Sequence, residues 1–326
     1  MSVAVIIPNW NGIEHLSDCL TSLRNQTFKE FKAYLVDNGS TDQSVEFTRN
    51  NFPEVNIIKL DKNYGFAKAV NEGIRNTKEE FIALLNNDTK AGSCWLEELL
   101  KGINSDNKIG MCASKILYLK NPRIINSAGS NYRVDSVWQD RGANEKDEGR
   151  YNNEELVFGA CAAAALYKRP MLDEVGLFDE DYFSYMEDAD LSFRANLLDY
   201  KCLYVPAAVV HHIHMATGKK FYAASVRNYL RNRSFTLIKN MPGALIMKYF
   251  FCICLMYFIN FVSIVISPRY NFECKKAYFN AVFDIIKAFP PLLKKRKQIQ
   301  GNKKVSDEYI DSIFTKIGIK NYFSKK

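Results

Sequence analysis

The sequence lacks the motifs that mark most nucleotide-handling enzymes. It has no Walker A loop, no GxGxxG and no GxSxG, so P-loop NTPases, dinucleotide dehydrogenases and α/β-hydrolases lose their usual sequence support. It has no internal repeat. None of its eight cysteines forms a CxxC pair, and most lie in apolar runs. That pattern reads as buried thiols in a reducing compartment, not as a zinc site or a disulfide framework. The N-terminus lacks a basic leader region, and its apolar run Val3–Pro8 is too short for a secretory signal. The expectation is a catalytic part in the cytoplasm.

What is there is an ordinary globular composition, 47% apolar and 25% charged. This excludes disordered, collagenous and disulfide-knot classes. At roughly 100–200 residues per domain, 326 residues make two domains, or one with an appendage. The net charge of +8 is concentrated: residues 244–304 hold 11 basic and 2 acidic residues, and the remainder is close to neutral. A local basic region of this kind does not mark a nucleic-acid binder. It coincides with an uncharged run, Tyr249–Ser267, flanked by Lys239 and Lys248 on one side and Arg269, Lys275, Lys276 and Lys294–Lys297 on the other. A single span would carry one basic flank outside, against the positive-inside tendency. The favoured expectation is a helix lying in the inner leaflet, held by the basic tail on anionic lipid. A spanning helix and a buried helix or homodimer surface are the alternatives.

Residues 1–115 alternate strands with helices. Val3–Pro8, Lys32–Val36, Asn56–Lys59 and Phe81–Leu85 read as strands, and Ile13–Arg24, Ser44–Asn51 and Phe66–Asn76 as helices. Alternation of this kind predicts an α/β fold, a Rossmann-like and mostly parallel sheet flanked by helices. Residues 116–155 are polar and weakly periodic, and read as strands and loops near a site, mobile in part. A short helix from Glu187 and a strand Lys201–Val205 follow.

Ligands of open parallel sheets bind at the carboxyl ends of strands. Three polar clusters fall there: Pro8-Asn9-Trp10-Asn11, Asp37-Asn38-Gly39-Ser40-Thr41-Asp42 and Asn86-Asn87-Asp88. Each alone is an ordinary turn; at successive strand ends they point to a site. A carboxylate at Asp88 can hold a hard divalent cation, which would neutralise a diphosphate leaving group. The acidic run Glu187-Asp188-Ala189-Asp190 either caps its helix or supplies a general base. Three of the four histidines, His211, His212 and His214, cluster after the strand Lys201–Val205 and Pro206. Neutral imidazole can join carboxylate at such a metal.

The segments VAVIIPNWNG, LVDNGSTD, NYGFAKAVNEG, LLNND, FGACAAAALYKR, GLFDEDYFSYMEDADLSFR, YVPAAVVHH and RNYLRNR, in this order, resemble the inverting nucleotide-sugar glycosyltransferases of family 2. The likeness is greatest to their rhamnosyltransferase-like branch, and it covers about residues 3–310. The resemblance implies a GT-A fold over residues 1–240, with a nucleotide-binding half to about 115 and an acceptor half beyond it. Residues 241–326 would form a helical, membrane-associated extension. It further implies that Pro8, Asn9 and Asn11 line the nucleotide pocket, that Asp37 contacts the base, and that Asn38 and Ser40 shape that loop. Asn63, Gly65, Phe66, Ala67 and Asn71 would close over nucleotide and ribose. Asn86-Asn87-Asp88 takes the place of the family's DxD motif, with Asn86 in place of its first acid, leaving Asp88 as the ligand of Mg2+ or Mn2+. Asp188, with Glu187 second, would be the base. His212, with His211 as alternative, would assist the metal or diphosphate, and Arg231 and Asn232 would meet diphosphate or acceptor. The implied activity is transfer of rhamnose from dTDP-rhamnose to a lipid-linked saccharide in surface polysaccharide (O-antigen) synthesis, by an enzyme peripheral to the inner face of the cell membrane. A UDP-hexose donor is the runner-up. A nucleotide-sugar-binding protein without transfer activity and a membrane-anchored interaction protein are the competing classes.

Overall fold

The computed structural model describes residues 1–213, 222–268 and 270–318; His214 and Arg269 lie outside them. The chain opens β1 (Val3–Asn9), α1 (Ile13–Arg24), β2 (Phe31–Asp37), α2 (Ser44–Asn51), β3 (Asn56–Lys59), α3 (Phe66–Arg75), β4 (Phe81–Leu85). These match the expected elements to within one residue at each end. Val3–Ile7 and all of β4 are buried, as continuous apolar runs require when helices cover both faces of a sheet. β5 (Thr89–Ala91), α4 (Trp95–Ile103), β6 (Ile109–Tyr118), β7 (Asn121–Ala128), β8 (Ser130–Tyr132) and β9 (Trp138–Asp140) follow. Next come β10 (Glu155–Val157), β11 (Ala164–Lys168), α5 (Arg169–Val175), a short 3-10 turn Glu180–Tyr182, α6 (Glu187–Leu197) and β12 (Lys201–His212).

The main sheet runs β10-β12-β6-β11-β4-β1-β2-β3, with β5 added to β12 and β7 to β6. β1 is parallel to β2 and β4, and β2 to β3; β11 enters antiparallel between β4 and β6. The result is a mixed α/β architecture around a mostly parallel sheet.

One expectation is corrected. His211 and His212 do not follow the strand Lys201–Val205; they end it. β12 passes through Pro206, and its pairing with β6 shifts register between Val205 and Val209. Proline has no N–H for the ladder, so an irregularity at that point lets the strand continue. The polar stretch 116–155 holds strands and loops, as expected, and part of it is interior: Asn126, Ser127, Ser130, Asp135 and Ser136 are buried. The Arg233 guanidinium donates to the Asp135 and Ser136 carbonyls, which satisfies part of that polarity from α7 (Tyr222–Asn240).

The chain ends in α8 (Gly243–Lys248), α9 (Phe250–Phe261), a π-helical stretch Val262–Ile266, α10 (Phe272–Gly301) and α11 (Asp307–Ile313). The apolar run Tyr249–Ser267 is thus a 12-residue α-helix with a wider last turn. Among the described residues no helix is long and apolar enough to cross a membrane.

Candidate active site

β1 is the shared neighbour of β2 and β4, so their carboxyl ends lie side by side, with Asn9 opposite Asp37 and Ile6 opposite Leu84. The turns beyond them are knitted together by side chains. Asn9 Nδ2 donates to Ser40 Oγ (3.2 Å), and Asn87 Nδ2 to Asn9 Oδ1 (2.7 Å). Asn11 Oδ1 accepts from the amides of Thr41 and Asp42, and the Asn11 amide donates to Ser40 Oγ. Pro8 stands one residue below this cluster on β1. A Cβ at Gly12 would fall 2.0 Å from Asn87 Nδ2, so the close approach of the first and third turns needs glycine there.

Asn38 fixes the entry to α3. Its Nδ2 donates to Asn63 Oδ1 (3.1 Å) and the Gly65 carbonyl (3.0 Å), and its Oδ1 accepts from the Tyr64 amide. Asp37 is buried, and its Oδ1 has no hydrogen-bond partner among the described residues. A buried carboxylate oxygen at a strand end is the kind of acceptor that a ligand N–H would satisfy.

Asp88 and His212 meet. β5 and β12 pair antiparallel with Thr89 opposite His212, which brings imidazole Nε2 to 3.1 Å from Asp88 Oδ1. His211 precedes it on the strand, and strand alternation turns it to the other face. His212 Nδ1 lies 3.1 Å from Asn126 Oδ1 on β7. As the side chains stand, Nε2–H donates to Asp88; with a cation between the two, donation of Nδ1–H to Asn126 would leave the Nε2 lone pair for the metal, the arrangement of metal-ligating histidines. Asn86 Oδ1 is buried nearby in sequence, without a hydrogen-bond partner among the described residues. One carboxylate and one imidazole, completed by phosphate oxygens and water, fit a divalent cation such as Mg2+ or Mn2+. The protein offers no fuller cage: no group of three His, Cys, Asp or Glu side chains able to hold a metal occurs among the described residues.

The acidic pair opens α6. Three non-glycine residues before it, Phe183, Tyr185 and Met186, have left-handed backbones with φ of 60°, 70° and 71°. Conformations of this kind persist only when the surroundings over-determine them. Here Asn232 Nδ2 faces the carbonyls of Tyr182, Ser184 and Tyr185 at 2.7–2.9 Å, and Arg231 donates to those of Asp181 and Tyr182. From α10, Lys295 grips Asp179 and Asp181. Asp188 Oδ1 accepts from the Ala189 amide (2.8 Å) and Oδ2 from the Ala162 amide (3.3 Å). Burial pushes the Asp188 carboxyl up to about 7, with the Asp140 charge adding to it. Burial and the neighbouring Asp188 push Glu187 up to about 8. The small residues 159–164 let α6 come close; a Cβ on Gly159 would lie 2.2 Å from Ser192 Oγ.

The two halves of the site are joined through α3. The Phe66 amide, at the start of α3, donates to the Phe183 carbonyl at 2.5 Å. Gly65, with φ +86°, packs so tightly on this loop that a Cβ would fall 2.3 Å from the same carbonyl oxygen. Asn71 adds a second tie, with Nδ2 donating to the Phe178 carbonyl and Oδ1 accepting from the Phe178 amide. We expect Gly65→Ala to weaken nucleotide diphosphate binding at least roughly tenfold, read by calorimetry, because both the left-handed backbone and the contact forbid a methyl group.

The structure thus brings the strand-end clusters, the 63–67 segment and the Asp88–His212 pair into ordered places. Asn71, Arg231 and Asn232 spend their polar groups on backbone of residues 178–185. Two residues escaped sequence reasoning. Asn126 stands behind His212, and Asp140 accepts from Ser130 Oγ (2.9 Å) while its charge helps to raise the Asp188 carboxyl. Both come from residues 116–155, where the only signal was polarity.

The family model described as glycosyl transferase family 2 matches residues 4–176. The chain belongs to that family. It is therefore a glycosyltransferase, an enzyme using a nucleotide-sugar donor. It is 28% identical over 248 residues to an N-acetylglucosaminyl-diphospho-decaprenol L-rhamnosyltransferase of Mycobacterium tuberculosis (strain CDC 1551 / Oshkosh), covering 66% of this chain and 77% of the relative. In fold the glycosyltransferase is similar to GalNAc-T7, crystallised with UDP, GalNAc and Mn2+ (TM-score 0.64, 16% identity, 86% of this chain, and about half, 54%, of that one). It is also similar to the mannosyltransferase PcManGT of Pyrobaculum calidifontis, in complex with GDP-Man and Mn2+ (TM-score 0.55, 14% identity, 92% and 84%). These are GT-A folds, as the sequence resemblance implied.

Proposed function

We propose that this glycosyltransferase inverts the anomeric centre of a nucleotide-diphosphate sugar, rhamnose from dTDP-rhamnose in first place, onto a lipid-linked saccharide of a surface polysaccharide. The observation that carries the reading is the Phe66–Phe183 hydrogen bond, which fastens the segment matching the family's nucleotide-closing element to the loop preceding the acidic pair. The lipid-linked acceptor and the rhamnose are drawn from the named activity of the mycobacterial relative. In this reading residues 1–240 carry donor and acceptor halves, and residues 241–326 hold the enzyme at the inner face of the membrane.

The nucleotide lies over the strand ends. Asp37 takes the base N–H on its unpaired oxygen, and Asn9, Asn11, Asn38, Ser40 and Asn87 hold the turns that shape the pocket. Asn63, Gly65 and Phe66 close over the ribose, and Asn71 fastens that element to the acceptor-side loop. Asp88 and His212 would hold a divalent cation; when bound it neutralises the diphosphate leaving group. Asp188 removes the proton from the acceptor hydroxyl as that oxygen attacks the anomeric carbon opposite the diphosphate. Burial keeps its carboxyl near neutrality, where a general base is most effective. Glu187, buried beside it with Oε2 unpartnered among the described residues, shares the proton of the pair. Arg231 and Asn232 act on the acceptor side through the loop they hold. Alignment of the two reactants and charge neutralisation supply most of the acceleration.

The test is a donor screen. Purified enzyme is incubated with Mg2+ or Mn2+, a panel of dTDP- and UDP-sugars and a membrane extract as acceptor source, and nucleoside diphosphate release is followed. Acceptor-dependent release from dTDP-rhamnose, lost in Asp88→Ala, is the expected result. Release from a UDP-hexose instead replaces the donor assignment. Release from no donor, together with no metal-dependent nucleotide binding by calorimetry, overturns the reading.

A further inference from the structure

α10 has two apolar faces, and only one of them is covered by protein. Its inner face packs on α7: Cys274, Ala277, Ala281 and Leu292 are buried, and Asp284 forms a two-point ion pair with Arg227 at 2.7–2.8 Å. Lys295 and Arg296 also reach inward, to Asp179 and Asp181 and to the carbonyls of Ile238 and Met241. These ties fix the rotation of the helix about its axis. The outer face carries Phe279, Val282, Phe283, Ile286, Phe289 and Leu293, at helical spacing and all exposed; Phe283 and Ile286 are each 67% exposed. The neighbouring α9 adds exposed Phe250, Phe251 and Phe258. An apolar patch of this extent is not left to water without a partner.

We propose that this face of α10 docks on an anionic phospholipid surface, with the helix lying in the plane of the interface. The inference rests on the lipid-linked acceptor of the proposed function and names the surface that meets that lipid. Charge selects the occupant. Lys276, Lys287, Lys294 and Lys297 are exposed along α10, and none has an acidic partner among the described ion pairs. The two acids of the helix are Glu273 at its start and Asp284, which Arg227 already holds. An apolar stripe bordered by uncompensated lysines matches an interfacial helix on anionic lipid. A second copy of the chain fits worse, because twofold pairing through this face sets the lysine-bordered surface against its own like. The helix lies on the surface and does not cross it: α10 carries charges through its length, and no described helix can span. The same helix holds, through Lys295, the turn that leads to the acidic pair. The lipid surface and the acceptor-side loop are thereby two sides of one element, which suits an acceptor whose reacting sugar sits just above the headgroups.

The test is co-sedimentation with vesicles, which needs no donor, acceptor or turnover. The full chain is expected to pellet with phosphatidylglycerol-containing vesicles and to stay in solution with phosphatidylcholine alone. Phe283→Asp combined with Ile286→Asp, and separately Lys276→Gln with Lys287→Gln and Lys294→Gln, should each weaken the anionic-vesicle interaction by roughly tenfold or more. Nucleotide binding by calorimetry stays unchanged in both variants and reports that they are folded. Equal partition to neutral and anionic vesicles, or full retention by both variants, overturns the proposal. So does a concentration-dependent dimer in sedimentation velocity without lipid that the Phe283→Asp change dissolves, since the face then belongs to a second copy. Loss of vesicle binding leaves the donor screen untouched, and a failed donor screen leaves vesicle binding readable.

Discussion

Asp188→Asn is expected to lower acceptor-dependent transfer by roughly 10²–10⁴-fold, the range for removal of a general base, while nucleotide diphosphate binding should change little. The amide keeps the shape of the carboxylate, and the donor-side contacts run through the strand ends and α3, not through Asp188. Glu187→Gln has the smaller effect of the two. In the wild-type enzyme log kcat should rise with pH up to about 7 and then level, because in the proposed mechanism the base works ionised and burial has raised its carboxyl to about that value. The acids are adjacent, so the profile reports the pair as a unit. The same shift has a thermal signature of opposite sign. A carboxyl whose pKa is higher in the folded chain than in the unfolded one favours folding while protonated, and that contribution is lost as pH rises from the ordinary carboxylate range to about 7. Asp188→Asn removes the loss, so above neutrality the variant should melt higher than wild type while being nearly inactive. Equal activity of the two proteins across the pH range would end the assignment of Asp188 as base.

Lys239→Met should lower the melting temperature by roughly 10 °C, corresponding to a cost of about 3–5 kcal/mol for breaking one side of a buried ion pair. Lys239 is almost fully buried and bridges Asp179 and Asp190, at 2.8 Å from the latter. Burial pushes the Asp190 carboxyl up, and the Lys239 and Arg194 charges outweigh that and hold it well below the usual carboxylate range. Arg194 in turn donates to the carbonyls of Val175, Gly176 and Leu177. Tyr182 and Asn240 donate to Asp190 as well. Removing the ammonium takes one partner from the buried Asp190 of α6 and one from the half-buried Asp179, which keeps Lys295. The double variant Lys239→Met with Asp190→Asn should recover a large share of the lost stability, because one unpaired charge is gone; a double variant as unstable as the sum of its singles would show that packing, not charge, is what Lys239 supplies.

Much of the donor half was legible along the chain. Continuous apolar runs such as Val3–Ile7 and Phe81–Leu85 are short and bounded by turn residues, and such runs become buried parallel strands whatever surrounds them. The turn residues after them are local signals too, and parallel pairing alone sets Asn9 beside Asp37. The end of β12 was misjudged because Pro206 reads as a stop, whereas a shift in pairing with β6 carries the strand on to His212. Asn126 and Asp140 were unreadable, since their meaning depends on β7 and β9 folding back towards His212 and the start of α6.

By itself the sequence determined the strand–helix alternation, the three polar strand ends, the acidic pair at a helix start and the basic, apolar character of the C-terminal region. All of these are periodicities or neighbour relations within a few residues. Tertiary structure decided the rest. It set His212, and not His211, against Asp88, and it gave the amides of Asn71 and Asn232 to a strained loop. It also added the outer stripe of α10 to the exposed apolar residues of the uncharged run. A helix with two apolar faces has a single sequence pattern, and its packing on α7 with the ties to Arg227, Asp179, Asp181 and the Ile238 and Met241 carbonyls determines which face turns outward.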